Sequence, residues 1–383
     1  MKVSTRRTLW TRRHFIARGL AAAVLAGLAP ARLASAAGKL SGFTLLERLP
    51  RPEELETPLE YLESFKTPNE VFFVRSHFGP PEIDPNSWRL EFEGMVERAR
   101  TFSLEELRRF PVVTIPAVLQ CAGNGRSFYT PKVPGVQWGK GALGNAEWTG
   151  VRLRDVLHEL RPLRTATHIQ SVGYDLPPMP TTPSFVRSLP LDRALDPTTI
   201  LALEMNRAPL PTLHGGPCRL VVPGWAGDHW LKWLGRITLQ DHEARGFYME
   251  TAYRLSRKDQ VGTPPSITVN PVKSIIARPT DGSIIRSGKV TISGVAFSGG
   301  GAVERVEVSF DGGAWVATDV GRQTHPGAWQ LWRHSWRPPK SGIHTIAVRA
   351  TDRLGNTQPE QTPWNKGGYL WNGIDRIRCE VRS

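Results

Sequence analysis

After Val261-Gly262-Thr263-Pro264-Pro265 the chain changes character, and that change limits the folds open to it. Lys289–Phe297, Val303–Phe310 and His344–Ala350 alternate apolar and polar residues over short runs, the period of strands with one buried face. Asp311-Gly312-Gly313 is a hairpin signal between two of them, because Asp-Gly tolerates the positive φ that tight hairpins need. Residues 263–383 therefore read as an all-β sandwich of immunoglobulin-like type, near the ~100 residues such a domain uses. Sandwiches of this kind serve as interaction or dimer modules, so chemistry is expected in the residues before it.

In that earlier part the informative stretch is Ala117–Tyr129, AVLQCAGNGRSFY. An apolar, β-branched run precedes it, and Gly-Asn-Gly follows the cysteine, which reads as a buried strand opening into a tight loop. A lone cysteine is commonly a small buried hydrophobe. Here glycines on both sides of Asn124 let backbone approach a ligand, and Arg126 supplies a fixed positive charge, neither of which a cysteine packed for its volume requires. Cys121 is thus a candidate reactive or metal-binding sulfur.

The formal charge of +14 invites a nucleic-acid partner, but seven of those charges belong to residues 1–36, which hold no acid. The remaining basic residues are scattered and form no run suited to a phosphate backbone, so nucleic-acid binding is excluded. Residues 1–36 themselves carry Arg12-Arg13 before an Ala-rich apolar stretch and an Ala34-Ser35-Ala36 cleavage site. This resembles a twin-arginine (Tat) export signal, which predicts a periplasmic protein folded around its cofactor before export. The apolar stretch is too short to span a bilayer, so no membrane anchor is expected. Three cysteines make no disulfide framework; Cys218 with Cys379 is the only pairing that spares Cys121.

Residues 37–262 then form the candidate catalytic domain. Residues 37–70 read as a polar surface arm with one short helix, and Val71–Phe78 as an apolar strand placing Arg75 and His77 on one face. Trp88–Gly94, His168–Val172, Ile200–Glu204 and Cys218–Val222 read as strands. Ser103–Phe110 opens with a capping box, and Glu147–Leu160 reads as a turn followed by a helix from Leu153 burying Leu153, Val156, Leu157 and Leu160. Arg219 and Lys232 flank a Gly-rich, Trp-rich turn suited to a phosphate or another anion.

Taken in order, FFVRSHFGPP, LQCAGNGR, WTGVRLRDVL, LALEMN, HGGPCRLVVPG and LKWLGRI, with the tail from Val272 to Gly301, resemble the sulfite oxidase family of molybdenum enzymes over the whole mature chain. The resemblance implies an α+β molybdopterin-binding domain of sulfite oxidase type followed by the family's dimerisation domain. It implies Cys121 as the thiolate ligand of molybdenum, and Arg75 and Arg126 as the anion pocket with Trp138 lining it. Tyr253 becomes an active-site tyrosine hydrogen-bonded to the metal's other ligands or the substrate. His77, Asp175, His214, Arg219 and Lys232 hold the pterin and its phosphate.

The activity implied is oxidation of sulfite to sulfate by a molybdenum–molybdopterin cofactor. With no C-x-x-C-H, no haem in this chain is expected, and electrons pass to a separate c-type cytochrome. A homodimer is possible through the sandwich. The alternative within the family is a sulfane-type dehydrogenase acting on carrier-bound sulfur together with a cytochrome subunit; outside it, an exported, non-catalytic binding protein. Two departures from the animal pattern stand out: Gly125 precedes Arg126 where two arginines are usual, and Asp228 sits near the proposed anion pocket.

Overall fold

Strands dominate the computed structural model, which describes residues 45–50 and 53–383; the expected signal peptide lies outside them. The described residues all fall in one compact unit, so the junction expected between 262 and 263 lies inside it. In the N-terminal part the strands are β1 Leu46–Pro50, β2 Glu53–Glu56, β3 Leu90–Gly94, β4 Arg100–Phe102, β5 Val112–Gln120, β6 Leu143–Arg152, β7 His168–Gly173, β8 Val186–Pro190, β9 Ile200–Met205, β10 Ala208–Pro209, β11 Arg219–Val221 and β12 Leu234–Gln240. One five-stranded sheet runs β10-β9-β6-β5, with β11 also on β9; a second runs β4-β3-β12-β7-β8. Apolar side chains from both sheets and from the loops share one core, in which Trp148 of β6 meets Trp230 of the loop before β12 edge to face at 5.7 Å.

Two local features arise as the sequence predicts. The capping box at Ser103 forms reciprocally with Glu106 at the start of the short helix Leu104–Leu107. The helix Leu153–Leu160 buries Leu153, Val156, Leu157 and Leu160, one stripe at helical spacing.

After residue 262 come β13 Lys273–Arg278, β14 Ile284–Arg286, β15 Val290–Phe297, β16 Val303–Phe310, β17 Val316–Ala317, β18 Asp319–Val320, β19 Gln330–Trp336, β20 Gly342–Asp352 and β21 Asp375–Arg382. They form sheets ordered β13-β15-β19-β18 and β14-β21-β20-β16-β17, with a common core of branched aliphatics and Trp332. Asp311 and Gly312 both adopt positive φ, 53° and 75°, as a tight turn between β16 and β17 needs. A third cluster joins the two parts: Val118 of β5, Leu143 and Leu62 pack against Ile275, Ala277 and Val295 of the sandwich.

Three expectations are corrected, and the pairing left open for Cys218 and Cys379 is answered. Glu147–Arg152 is not a turn but the second half of β6, because its partners on β5 and β9 supply backbone bonds along its whole length. Val71–Phe78 is not a strand: only Val74 pairs, with Leu55, and a 3-10 turn at Asn69–Val71 precedes it. The described part of the supposed surface arm keeps a short helix, the 3-10 turn Leu59–Glu63, but is not superficial: it opens with the β1–β2 hairpin, and Glu54, Leu55, Glu56 and Thr57 are buried. Cys218 and Cys379 are not bridged; each is a free thiol, one in the N-terminal core and one in the sandwich core.

One polar clamp in the sandwich makes stability depend on pH. Buried His344 engages Asp311 through Nδ1 at 2.7 Å and donates from Nε2 to the Lys340 carbonyl at 2.9 Å. These bonds raise the His344 pKa above 6.5, the Asp311 hydrogen bond contributing most. Asp311, although partly desolvated, is held below 3.8 by the Thr345 N–H and His344. The histidine's contribution is complete below pH 6.5 and is lost as pH rises through its folded-state value. The aspartate's contribution is complete above 3.8 and is lost as pH falls. Chemical denaturation of wild type and His344→Gln should therefore differ most between about pH 4 and 6 and less as pH rises above 6.5; a constant difference would exclude the clamp.

Candidate active site

The last residue of β5 hands the chain to Cys121, whose N–H donates to the Ala142 carbonyl at 2.9 Å and whose carbonyl accepts from the Asn124 N–H at 2.9 Å. The sulfur thus reaches a cleft of about 730 Å³ between the two N-terminal sheets' loops. Arg75, His77, Asp175, His214, Arg219, Lys232 and Tyr253 line the same cleft, so eight of the ten residues singled out from sequence converge there.

The other two lie elsewhere. Arg126 turns back under the cysteine loop, where Nε donates to the Gly367 carbonyl at 3.0 Å and Nη1 to the Val136 carbonyl at 3.1 Å. A Cβ on Gly123 or Gly135 would sit 2.6 or 2.8 Å from this guanidinium, so the glycines make its room. Its charge still reaches Cys121 through space. Trp138 is wholly buried in the apolar core rather than on the cleft wall, where its large ring area is removed from water.

Positive charge dominates the cleft. Arg75 pairs with buried Glu54 of β2, and although burial opposes its charge, Tyr253, Glu54 and Cys121 hold it above its usual range. Burial lifts Glu54 to about 7 against the pull of Arg75. Among the described residues the Lys232 ammonium donates to the Leu213 carbonyl at 3.2 Å and lies 3.9 Å over the Trp233 ring; burial, then Arg219, lowers it to about 7. Arg219 sits between Trp148 and Trp230, donates to the His214 and Trp230 carbonyls at 2.8 Å, leaves Nε unpartnered and is lowered by burial to about 9. Neither cation has a carboxylate within ion-pair distance among the described residues, and buried cations without one call for an anionic ligand.

The neutral groups are equally constrained. His214 Nε2 lies 3.0 Å from the Asn69 carbonyl, which only accepts, so that nitrogen carries the proton; burial lowers the ring to about 3. His77 Nε2 lies 3.0 Å from the Tyr253 hydroxyl, and its ring stacks on Phe185 at 4.1 Å. Burial, then Arg75, drives His77 well below 6.5, while burial raises Tyr253, so this pair is neutral. Burial also raises Asp175. Cys121 is raised by burial and lowered by Arg75, Arg126 and the Gly123 N–H.

Sequence reasoning missed two members. Glu54 was hidden in the Glu-rich EELE run, which reads as solvated surface. Asp228 lines the cleft, but its counter-ion Arg187 on β8 gave no signal; the pair meets at 2.7 Å, fully buried, with Asp228 raised by burial to about 6. Gly125 has a structural reason: φ is 85°, and a Cβ there would lie 2.6 Å from the Trp371 ring, so a second arginine has no space.

No three His, Cys, Asp or Glu side chains gather as a metal cluster among the described residues. A metal here would take one protein ligand, the Cys121 sulfur, and the rest from a non-protein ligand whose anionic part meets Lys232 and Arg219. The donor set fits a metal bound to an anionic organic cofactor. No helix among the described residues is long and apolar enough to cross a membrane.

Residues 77–248 match the oxidoreductase molybdopterin binding domain, and 265–381 the Mo-co oxidoreductase dimerisation domain. The mitochondrial sulfite oxidase of Homo sapiens is 40% identical over 356 residues, 86% of this chain and 65% of that protein; the Rattus norvegicus protein is 39% identical, with 64% of its length matched. The chain thus spans just under two thirds of these animal relatives. The sulfite oxidase of Arabidopsis thaliana is 33% identical over 85% of this chain and 91% of its own length. Among solved structures, the sulfane dehydrogenase SoxCD of Paracoccus pantotrophus aligns with a TM-score of 0.78 and 30% identity, covering 88% of this chain and 89% of that one.

Proposed function

The chain belongs to the sulfite oxidase family of molybdopterin oxidoreductases, and from that premise we propose that it oxidises sulfite to sulfate in the periplasm and passes the electrons to an external c-type cytochrome. The observation that carries this reading is one thiol, Cys121, facing Arg75 in a cleft whose far cations, Arg219 and Lys232, lack carboxylate partners. The molybdenum cofactor, when bound, supplies the two-electron redox centre and oxygen transfer to sulfur. Cys121 offers a soft ligand to the metal. Lys232 and Arg219 neutralise the cofactor's anionic end, where a phosphate meets charge-assisted donors.

Arg75 concentrates and orients the substrate dianion beside the sulfur, its guanidinium braced by Glu54. Tyr253 Oη and His77 Nε2 share one hydrogen bond and keep a neutral donor at the cleft wall. Each sulfite consumes one water and releases two protons and two electrons, so the site must shed protons as well as charge. A homodimer through residues 265–381 is part of this reading, supported by the match to a dimerisation domain.

The sulfane-type reading is favoured by the SoxCD likeness. Molybdenum quantification of natively expressed protein, then turnover of free sulfite with cytochrome c or ferricyanide, separates the cases. Near-stoichiometric molybdenum with sulfite turnover is the expected result. Full occupancy without turnover favours carrier-bound sulfur, and absence of molybdenum sinks both. Export rests on Arg12-Arg13; replacing both with lysine should leave the chain uncleaved in the cytoplasm, and unimpaired periplasmic recovery would refute the twin-arginine route.

A further inference from the structure

Lys273, the first residue of β13, is wholly buried, does not line the cleft and makes no ion pair among the described residues. Among the described residues its side chain makes one hydrogen bond, from Nζ to Gln120 Oε1 at 2.7 Å, with the Trp371 ring 5.4 Å away. The nearest carboxylate acting on it, Asp375, is taken up by Lys140 and by the Ile276 N–H at 2.9 Å.

Gln120 precedes Cys121, and its amide sits in a closed circuit. Oε1 also accepts from Asn124 Nδ2 at 3.1 Å, and Nε2 donates to Asn270 Oδ1 at 3.0 Å. Asn124 Oδ1 accepts from the Ala142 N–H at 3.1 Å, and the Ala142 carbonyl accepts from the Cys121 N–H at 2.9 Å. Every backbone bond that aims the cysteine is thus tied to one side-chain ring, and the only charge in that ring comes from the C-terminal sandwich.

A neutral donor would complete the same bonds. Burying an unpaired ammonium costs several kcal/mol in general, and burial here lowers Lys273 to about 7, with Asp375 and Cys121 acting in the opposite sense. A cost of that kind is offset when negative charge forms nearby, and a metal-bound thiolate at Cys121 is such a charge.

We propose that Lys273 is a positioning residue of the active site, which fixes the Cys121 loop through Gln120 and stabilises negative charge on the Cys121 sulfur from the C-terminal domain. The second half of this proposal rests on Cys121 as the metal ligand; the first half does not.

Two variants and two readouts test it. Lys273→Met keeps the stem's volume without the charge, and Lys273→Arg keeps the charge. Hydrogen exchange on cofactor-free protein should show faster exchange at the Cys121, Asn124 and Ala142 amides in Lys273→Met, with β3 and β7 amides unchanged. Redox titration of the holoenzymes should give a lower molybdenum midpoint potential for Lys273→Met, because losing a nearby cation disfavours the reduced centre, and an unaltered one for Lys273→Arg. Uniformly faster exchange over all sheets with an unaltered potential would mean a merely structural lysine and overturn the proposal, as would wild-type behaviour in both readouts. Wild-type protein without molybdenum would defeat the proposed function alone, since the exchange measurement still decides the positioning role.

Discussion

Cys121→Ser protein should fold as wild type and lose sulfite oxidation by at least ~10²–10³-fold in kcat, the scale for removing one group that acts at the reacting centre. The substitution exchanges sulfur for oxygen in a half-buried side chain whose backbone bonds to Ala142 and Asn124 are untouched. Stability should change by under about 1–2 kcal/mol, a few degrees in Tm. The hydroxyl, however, is neither soft nor ionised near neutrality, so it cannot replace a thiolate ligand. Steady-state turnover beside metal content per chain is the measurement. Undiminished turnover at equal metal content would remove Cys121 from the chemistry.

Arg75→Gln should have the second largest effect, and on two quantities at once. KM for sulfite should rise roughly 10–100-fold, the equivalent of the ~1.5–3 kcal/mol of a charge-assisted hydrogen bond, while kcat falls less. The variant should also be less stable in a pH-dependent way, because Glu54 loses its one ion-pair partner among the described residues. In wild type Glu54 ionises at about 7, burial opposing Arg75. Because the folded state holds this proton above the ordinary 4.5, stability falls in both proteins as pH rises toward 7. Wild type stops losing there, whereas the variant, which keeps the proton to higher pH without Arg75, goes on losing, so the deficit grows above pH 7. Urea denaturation at pH 6 and pH 8.5 reads this directly; a deficit that shrinks toward alkaline pH, or a KM that does not move, would refute the role given to the pair.

Much of the site was legible because its residue types are costly without a reason. A cysteine between a β-branched run and Gly-Asn-Gly, an arginine after Phe-Phe-Val, and Arg219 and Lys232 around a Trp-rich turn each announce a constrained environment. The helix Leu153–Leu160 and the strands beyond residue 289 were legible for another reason: one face is buried, so periodicity is imposed on the sequence.

What the linear sequence determined, then, was the family, the convergent cations and the cysteine that faces them, because local pattern and residue chemistry carry that information without long-range contacts. Only the tertiary structure decided which charges meet. It placed Glu54 against Arg75 from 21 residues away and Arg187 of β8 against Asp228 of the turn at Gly227–His229, and it turned Arg126 from the cleft wall into a brace beneath the loop. It also brought Lys273 from the sandwich to the residue before Cys121, 153 positions away. A charged residue reads as solvated surface until a partner distant in sequence shows where it is buried, and chain folding alone supplies that partner.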